Sequence, residues 1–337
     1  MRRDQPIQQS TGRPASGPTR ALWYVSSGVA ELREAKVGAP KPGEALVRAL
    51  YSGISRGTER LVFEGRLPES EWPRMRLPAQ EGDFPFPVKY GYAAVGEVEI
   101  GPADLVGRTV FSLYPHQERY VLPVAELVTL PDGVTAKRAV LGANMETALN
   151  VIWDSQASAC DRIVVIGAGL VGLLCAALAA RIPGAEVTAV DVDPSRAALV
   201  AKMGAAFAAP DAAPCEADVV IHTSANADGL ALAIELAARE ATIVEASWYG
   251  DAKASIPLGG AFHSRRLKIV SSQVGTPPTF RRPRWNNRRR LEAALKLLAD
   301  ARFDALLGEE IPFSELPRAL PRVLAPKAPG VGAYVRY

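Results

Sequence analysis

The sequence predicts an α/β protein, with a β-rich first half followed by a doubly wound parallel sheet. Three observations carry this. Short runs rich in Val, Tyr and Phe, broken by Pro and Gly, fill the chain from Ala21 to about residue 135. An alanine-rich helical stretch, AVLGANMETALNVIW, follows. Beyond it, strands alternate with helices of about 10–15 residues, as in parallel crossover units. A chain of 337 residues has room for two separate cores.

Taken in order, residues 1–20 hold four arginines among proline, glycine and polar residues, without an apolar run. That composition suits a disordered tail and not a secretory signal. The first domain is expected over residues 21–146, with ALWYV, EALVRALYSGI, AAVGEVEI, RTVFSLY and RYVLPV as strands. KPGE at 41–44 and PADLVG at 102–107 read as loops. The second domain is expected over residues 147–275. There RIVVIGAG leads into LVGLLCAALAARI, EVTAVDVD into PSRAALVAKMGA, and ADVVIHTSA into GLALAIELAA, before the strands in ATIVEASW and RLKIVSSQVG. Residues 276–337 are expected to return to the first domain through the helix RRRLEAALKLLAD and the strand AYVRY.

Composition excludes several classes of function. A net charge of +3 gives no broad basic field, so no nucleic-acid partner is expected. Cys160, Cys175 and Cys215 form neither a CxxC pair nor a Cys/His cluster, which argues against a disulfide scaffold or a structural zinc site. A reducing cytoplasm is the expected compartment. Ile163 to Ala180 is an 18-residue uncharged run close to membrane-spanning length. It opens with β-branched residues, carries three glycines and ends in an Ala/Leu run, so strand, turn and buried helix are expected there, and no membrane partner.

The glycines carry the chemistry. Gly167-Ala168-Gly169-Leu170-Val171-Gly172 matches G-x-G-x-x-G, with the strand IVVI before it and a helix after it. The first glycine permits a tight turn, the second lets backbone approach a pyrophosphate, and the third allows close helix–strand packing. The pyrophosphate then meets the unpaired N–H groups of a helix N-terminus. Asp191 closes the strand VTAVD, 22 residues after Gly169, where an acid accepts hydrogen bonds from the adenosine ribose. A Rossmann domain binding NAD(H) is therefore expected. Asp191 repels a 2′-phosphate, while Arg196, five residues on, keeps NADP(H) possible.

Ligands of such sheets lie beyond the C-terminal strand ends. Ser247, Trp248, Tyr249 and Gly250 follow one strand, and Ser271, Ser272, Gln273 and Val274 follow the next. Ser247 and Ser272 are the cofactor-binding candidates among them; the alternative is that this turn's aromatic residues cap the domain interface.

The β-rich domain, the mid-chain Rossmann domain and the C-terminal return together resemble the medium-chain dehydrogenase/reductase superfamily from Ala21 onward. LYSGISRGTE at 50–59 is similar to the segment placing that family's first zinc cysteine, and KYGYAAVGEVEIG at 89–101 to its G-H-E strand. AVLGANMETALN is similar to the segment bearing the third zinc ligand, and PFSELPRALPRVL to the family's C-terminal helix. The resemblance implies a GroES-like β-barrel catalytic domain plus the Rossmann domain. It also implies hydride transfer between NAD(H) and the alcohol or carbonyl of a small-molecule substrate held in a cleft, and a homodimer through the Rossmann sheets.

The departures shape the expected chemistry. Ser55 stands where zinc-dependent members carry cysteine, and Tyr92 and Ala93 stand for the His and Glu of G-H-E. Glu146 falls near the third ligand position, Glu59 is a second nearby carboxylate, and the four-cysteine structural lobe is missing. Catalytic zinc is therefore not expected. SGISRGTE and Tyr92 bring the chain closer to the bacteriochlorophyllide dehydrogenase-like branch. Without zinc, protein donors must polarise the substrate oxygen, and Tyr92, Thr58, Tyr114, His116 and Glu146 are the catalytic candidates.

By the same resemblance, Arg56 contacts the cofactor pyrophosphate; the alternative is an exposed surface arginine. His116 either faces substrate or makes a local loop hydrogen bond. His222, ending VVIH, sits near cofactor or is simply packed, and His263 is read as structural. RRPRWNNRRR at 281–290 holds six arginines, read as a solvated helix start or as a contact for an anionic ligand or a subunit. Two other functions stay open: a zinc-independent enone or quinone reductase, and a nucleotide-binding protein that has lost catalysis.

Overall fold

The computed structural model describes residues 7–9, 19–77, 79–326 and 328–337. They fall into two compact units. The first takes the chain up to Ala143, together with Leu298–Asp300 and Leu307–Tyr337; the second takes Asn144–Leu297 and Ala301–Leu306.

The first unit is the expected β-rich one. Glu44–Ile54 and Ala93–Pro102 pair antiparallel at its centre, and Thr109–Ser112, Arg119–Pro123 and Val128–Thr129 extend the same sheet. Their inward positions are apolar and buried, with Ala45, Val47, Ala94, Val98, Val110, Tyr120 and Leu122 in one cluster. A smaller sheet orders Val29–Ala35, Thr19–Ser26 and Val88–Lys89. The chain returns at its far end: Ala333–Arg336 lies between Glu309–Pro312 and Glu44–Ile54. A short helix, Arg56–Phe63, follows the long central strand directly.

The second unit is a six-stranded parallel sheet. Its order is Ala206–Ala208, Glu186–Val190, Arg162–Ile166, Ala217–His222, Ala237–Glu245, Lys268–Ser271. That order reverses direction beside Arg162–Ile166, the switch point at which dinucleotides bind in open α/β sheets. Strands covered on both faces need near-continuous apolar runs, and Ile163 to Ile166 and Val219 to His222 are all buried. The 18-residue uncharged run divides into a strand, the glycine turn and the helix Leu170–Ala179. Among the described residues, no helix is long and apolar enough to cross a membrane.

Two expectations are corrected. Ile7–Gln9, read within a disordered tail, forms a strand antiparallel to Ala93–Pro102. It is free of proline, glycine and charge, so nothing in it blocks ladder pairing. Thr19 and Arg20 already belong to a strand, and the rest of the expected tail lies outside the described residues. The second correction concerns residues 276–297, expected with the first domain and found in the second unit. The helix Asn287–Leu297 is held there by Arg290, which bonds Glu146 and Asn150. The return begins at Leu298 instead.

Candidate active site

In the second unit the glycine turn is built as its spacing requires. Gly167 adopts φ +101°, and a Cβ on Gly172 would lie 1.9 Å from the Gly167 carbonyl oxygen, so a side chain is excluded there. A Cβ on Gly169 would meet nothing within 4 Å. This residue caps the helix Leu170–Ala179, and Leu170 and Val171 open it half-buried. Open space thus faces the unpaired N–H groups of a helix start, a cradle that fits a pyrophosphate. Thr223 Oγ1 holds the turn from behind, 2.9 Å from the Gly167 oxygen.

Asp191 stands at the end of Glu186–Val190. Its Oδ2 accepts from the Ala168 N–H at 2.6 Å and its Oδ1 from the Asp193 N–H at 2.9 Å. Two backbone donors therefore aim one carboxylate beside the glycine turn. Arg196, the residue that kept NADP(H) possible, is paired with Asp193 at 3.2 Å.

Farther along the same sheet edge lies a polar network that the spacing of residues did not reveal. His222 and Glu245 are cross-strand partners. His222 is wholly buried, with Nδ1 2.7 Å from Glu245 Oε2 and Nε2 2.6 Å from Ser224 Oγ. Glu245 also accepts from the Ser247 N–H at 2.7 Å and from Tyr249 OH at 3.3 Å. Burial first, then the nearby Glu245, holds the Tyr249 phenol above its ordinary range. Ser247 Oγ accepts from the Ala225 N–H. Ser272 turns instead to Asp154, donating to its Oδ2 at 2.6 Å.

Glu146 and Arg290 form a buried ion pair at 3.0 Å in this unit. Burial raises the Glu146 carboxyl's pKa, and Arg290 opposes the shift. Arg290 also donates to Asn150 Oδ1 and to the Val274 carbonyl, so one of the six clustered arginines is interior. Arg288 pairs with Glu292, and Arg289 and Arg281 lie over the rings of Trp285 and Trp153. Partners within the unit thus offset the unfavourable placement of positive charge at this helix start. His263 is exposed.

In the first unit, Glu59 is the hub. It reaches back to accept from the Ser55 N–H at 2.9 Å, and its other oxygen receives Tyr24 OH at 2.9 Å and His116 Nε2 at 3.1 Å. His116 Nδ1 meets Ser52 Oγ at 2.7 Å, and Ser52 Oγ meets Tyr337 OH at 2.9 Å. Gly91, at φ +110°, leaves room for the imidazole, whose ring a Cβ would approach to 2.5 Å. His116 is therefore an interior hydrogen-bonding residue with no exposed surface. Tyr114 is buried too, stacked on Tyr120 at 4.0 Å with the Lys89 ammonium 5.3 Å from its ring. Tyr92, which follows Gly91, and Thr58, on the Arg56–Phe63 helix, are both partly exposed. The Arg56 guanidinium donates to the carbonyls of Ala328, Pro329 and Gly330, tying down that loop.

Among the described residues, no group of three or more His, Cys, Asp or Glu side chains is placed to hold a metal ion. The sequence singles out His116, Glu146 and His222 but not their pairings with Ser52, Arg290 and Glu245. An acid closing the strand ATIVE was the available signal for Glu245.

A β-rich unit that takes back the chain's end, and a parallel sheet with a glycine turn and an acid at its switch point, define a two-domain dehydrogenase. The fold is that of medium-chain, alcohol dehydrogenase-type enzymes, GroES-like and Rossmann domains together, and the proteins the chain is similar to are dehydrogenases and reductases. Residues 171–300 match the family described as zinc-binding dehydrogenase. The chain is 25% identical over 323 residues to D-guloside 3-dehydrogenase of Escherichia coli (strain K12), covering 86% of this chain and 92% of the relative. Its fold is shared with a short chain alcohol dehydrogenase from E. coli CFT073 complexed with NADH, at TM-score 0.75 and 15% identity over 95% of this chain and 100% of the other. It is shared equally with a zinc-binding dehydrogenase from Sinorhizobium meliloti 1021 bound to NADP, at TM-score 0.75 and 18% identity over 96% and 100%.

Proposed function

We propose that the chain interconverts a secondary alcohol of a sugar or polyol derivative and its ketone, using NAD(H) and no zinc. The observation that carries the cofactor choice is Asp191, a carboxylate fixed by two backbone N–H groups beside an open glycine turn. It would accept from ribose hydroxyls and repel a 2′-phosphate, and Arg196 is engaged with Asp193. Bound NAD supplies the acceptor for a hydride. Gly167, Gly169, Gly172 and the N–H groups opening the helix at Leu170 and Val171 would hold its pyrophosphate. The long alignment with D-guloside 3-dehydrogenase supports a sugar-like substrate.

The donor set does not fit catalytic zinc. Ser55 and Tyr92 offer neutral hydroxyls, and Glu146 is committed to Arg290. The zinc-binding match begins at residue 171, beyond Ser55, Tyr92 and Glu146. In this reading Tyr92, with Thr58 as second donor, hydrogen-bonds the substrate oxygen as charge develops on it. Tyr114 and His116 hold the surrounding structure without touching substrate, and Arg56 fixes the 328–330 loop. A homodimer through the sheet edge at Lys268–Ser271 and a reducing compartment for the free thiols of Cys160, Cys175 and Cys215 belong to the same reading.

Incubation with NAD+ and a methyl D-guloside, with the product identified by NMR and mass, tests this. A keto-glycoside two hydrogens lighter is expected. A saturated ketone formed only from an enone and NADH would replace it with the C=C reductase reading, and NADH binding without turnover of either would favour a nucleotide-binding protein.

A further inference from the structure

Ser224, His222 and Glu245 make a chain of hydrogen bonds beside the glycine turn. Arg162–Ile166 and Ala217–His222 are neighbours at the switch point, where dinucleotides lie in open α/β sheets. The glycine turn follows the first of these strands, and Thr223 and Ser224 follow the second. A Cβ on Gly167 would come within 3.0 Å of the Ser224 backbone nitrogen, so the serine borders the pyrophosphate cradle. Ser224 is exposed, whereas its partner His222 is wholly buried. Gly229, on the helix Ala227–Leu236, makes room for the pair: a Cβ there would lie 2.5 Å from Ser224 Oγ and 2.8 Å from His222 Nε2. The Thr223 hydroxyl donates to the Gly167 carbonyl and the Ala225 N–H to Ser247 Oγ. Among the described residues, Ser224 Oγ has one hydrogen-bond partner, the imidazole.

Glu245 decides which way that bond runs. Its carboxylate accepts from the Ser247 N–H and from Tyr249 OH, and its Oε2 lies 2.7 Å from His222 Nδ1. An ionised carboxylate only accepts, so Nδ1 carries a proton. In the neutral ring Nε2 is then bare, and the Ser224 hydroxyl, 2.6 Å away, donates inward to it. In that state the serine has no proton left for a ligand. In the cationic ring Nε2–H donates to Ser224 Oγ, and the serine proton is released to point elsewhere. Phosphate oxygens also only accept, so they select the second arrangement. The neutral tautomer protonated on Nε2 would set a bare Nδ1 against the carboxylate, and Glu245 disfavours it.

We propose that Ser224 is a pyrophosphate-binding residue and that the cofactor takes up one proton, at His222, as it binds. The proposal rests on the NAD(H) reading above. The proton comes from solvent and settles on Nε2; no bond within the cofactor changes. Affinity therefore rises as pH falls through the range in which histidine changes charge, about pH 5–8, and the gain is lost as pH rises. The titratable groups facing the imidazole are Glu245 and, through it, Tyr249, whose phenol burial holds above its ordinary range. Ser247 faces the ring with a hydroxyl, the strand Arg162–Ile166 sets Ile166 opposite His222, and the helix presents Gly229, next to an exposed Asp228.

ADP-ribose carries the pyrophosphate without the nicotinamide, so it separates cofactor binding from hydride transfer. Calorimetric titration with it, in buffers of different protonation heat, counts the protons taken up. Uptake should peak within about pH 5–8 and approach one proton per ADP-ribose, with Kd falling up to about tenfold per pH unit lowered. Nitrogen-15 NMR at the alkaline end should show His222 protonated on Nδ1 alone in the free protein, and at the acid end on both nitrogens in the complex. Ser224→Ala should bind about 10- to 100-fold more weakly at the acid end, the worth of a hydrogen bond to a charged group, with most of the proton uptake gone. ADP-ribose binding without proton uptake anywhere in that range overturns the proposal and leaves the NAD(H) reading standing. So does a Ser224→Ala protein that keeps wild-type affinity and uptake. A wild-type protein that binds neither ADP-ribose nor NADH removes both.

Discussion

His116 Nε2 lies 3.1 Å from Glu59 Oε2, and neither side chain has any exposed surface. Three stretches far apart in sequence meet on that carboxylate: Tyr24, the Ser55–Glu59 turn and the His116 loop. His116→Ala would remove a donor and leave a gap behind Gly91. Leaving a buried polar group short of its hydrogen-bond partner costs roughly 1–3 kcal/mol. Urea unfolding should show that loss, and a change under about 1 kcal/mol would mean the interaction is dispensable.

Asp191→Ala should weaken NADH binding about 10- to 100-fold, the worth of a hydrogen bond to a charged group. NADPH should lose less or gain, because the repulsion of its 2′-phosphate disappears. Fluorescence titration of both reduced cofactors measures the gap between them. Equal affinities in the wild type would refute the assignment.

Tyr92→Phe keeps the ring and deletes one hydroxyl. Loss of an oxyanion donor lowers kcat by about 10²–10³, with NADH affinity unchanged. If most of the rate survives, the role passes to Thr58, since Tyr114 and His116 are buried and already engaged.

Metal analysis of protein purified without chelators should find far less than one zinc per chain. Stoichiometric zinc whose removal abolishes activity would show that Glu59 or Glu146 leaves its present partner to bind it.

Arg290→Met should strand Glu146 without its partner and destabilise the second unit by roughly 3–5 kcal/mol. Arg290→Met combined with Glu146→Leu should recover much of that loss. Trp153 and Trp285, with ring centroids 4.8 Å apart, provide the fluorescence signal for the unfolding curve. A single variant as stable as wild type would return Arg290 to the surface cluster.

The glycine turn and Asp191 were legible because their relationship is local: strand, turn, helix, strand and acid follow within one stretch of chain. Val29–Ala35 was not, because its exposure alternates along a half-solvated strand and it carries few apolar residues. The eight-residue helix Arg56–Phe63 is too short for its period to stand out beside the strand that feeds it. The partnerships at the candidate site are harder still. His222 meets Glu245 only through strand register, and Arg290 meets Glu146 from far along the chain. His116 read as a loop residue because the strand and helix that enclose it lie well before it in sequence.

The placement of Ala333–Arg336 against Tyr51–Ile54 bears on how the chain is made. A ribosome releases Tyr51–Ile54 long before its partner strand, whereas the six strands of the parallel sheet emerge in one nearly unbroken stretch. The nucleotide-binding half can therefore assemble while the β-rich half still waits, with the apolar ladder of Glu44–Ile54 open along part of one side. An open strand edge invites pairing with neighbouring nascent chains. Crowded, rapid expression should lose more of this protein to aggregation than slow expression with a chaperone shielding that edge.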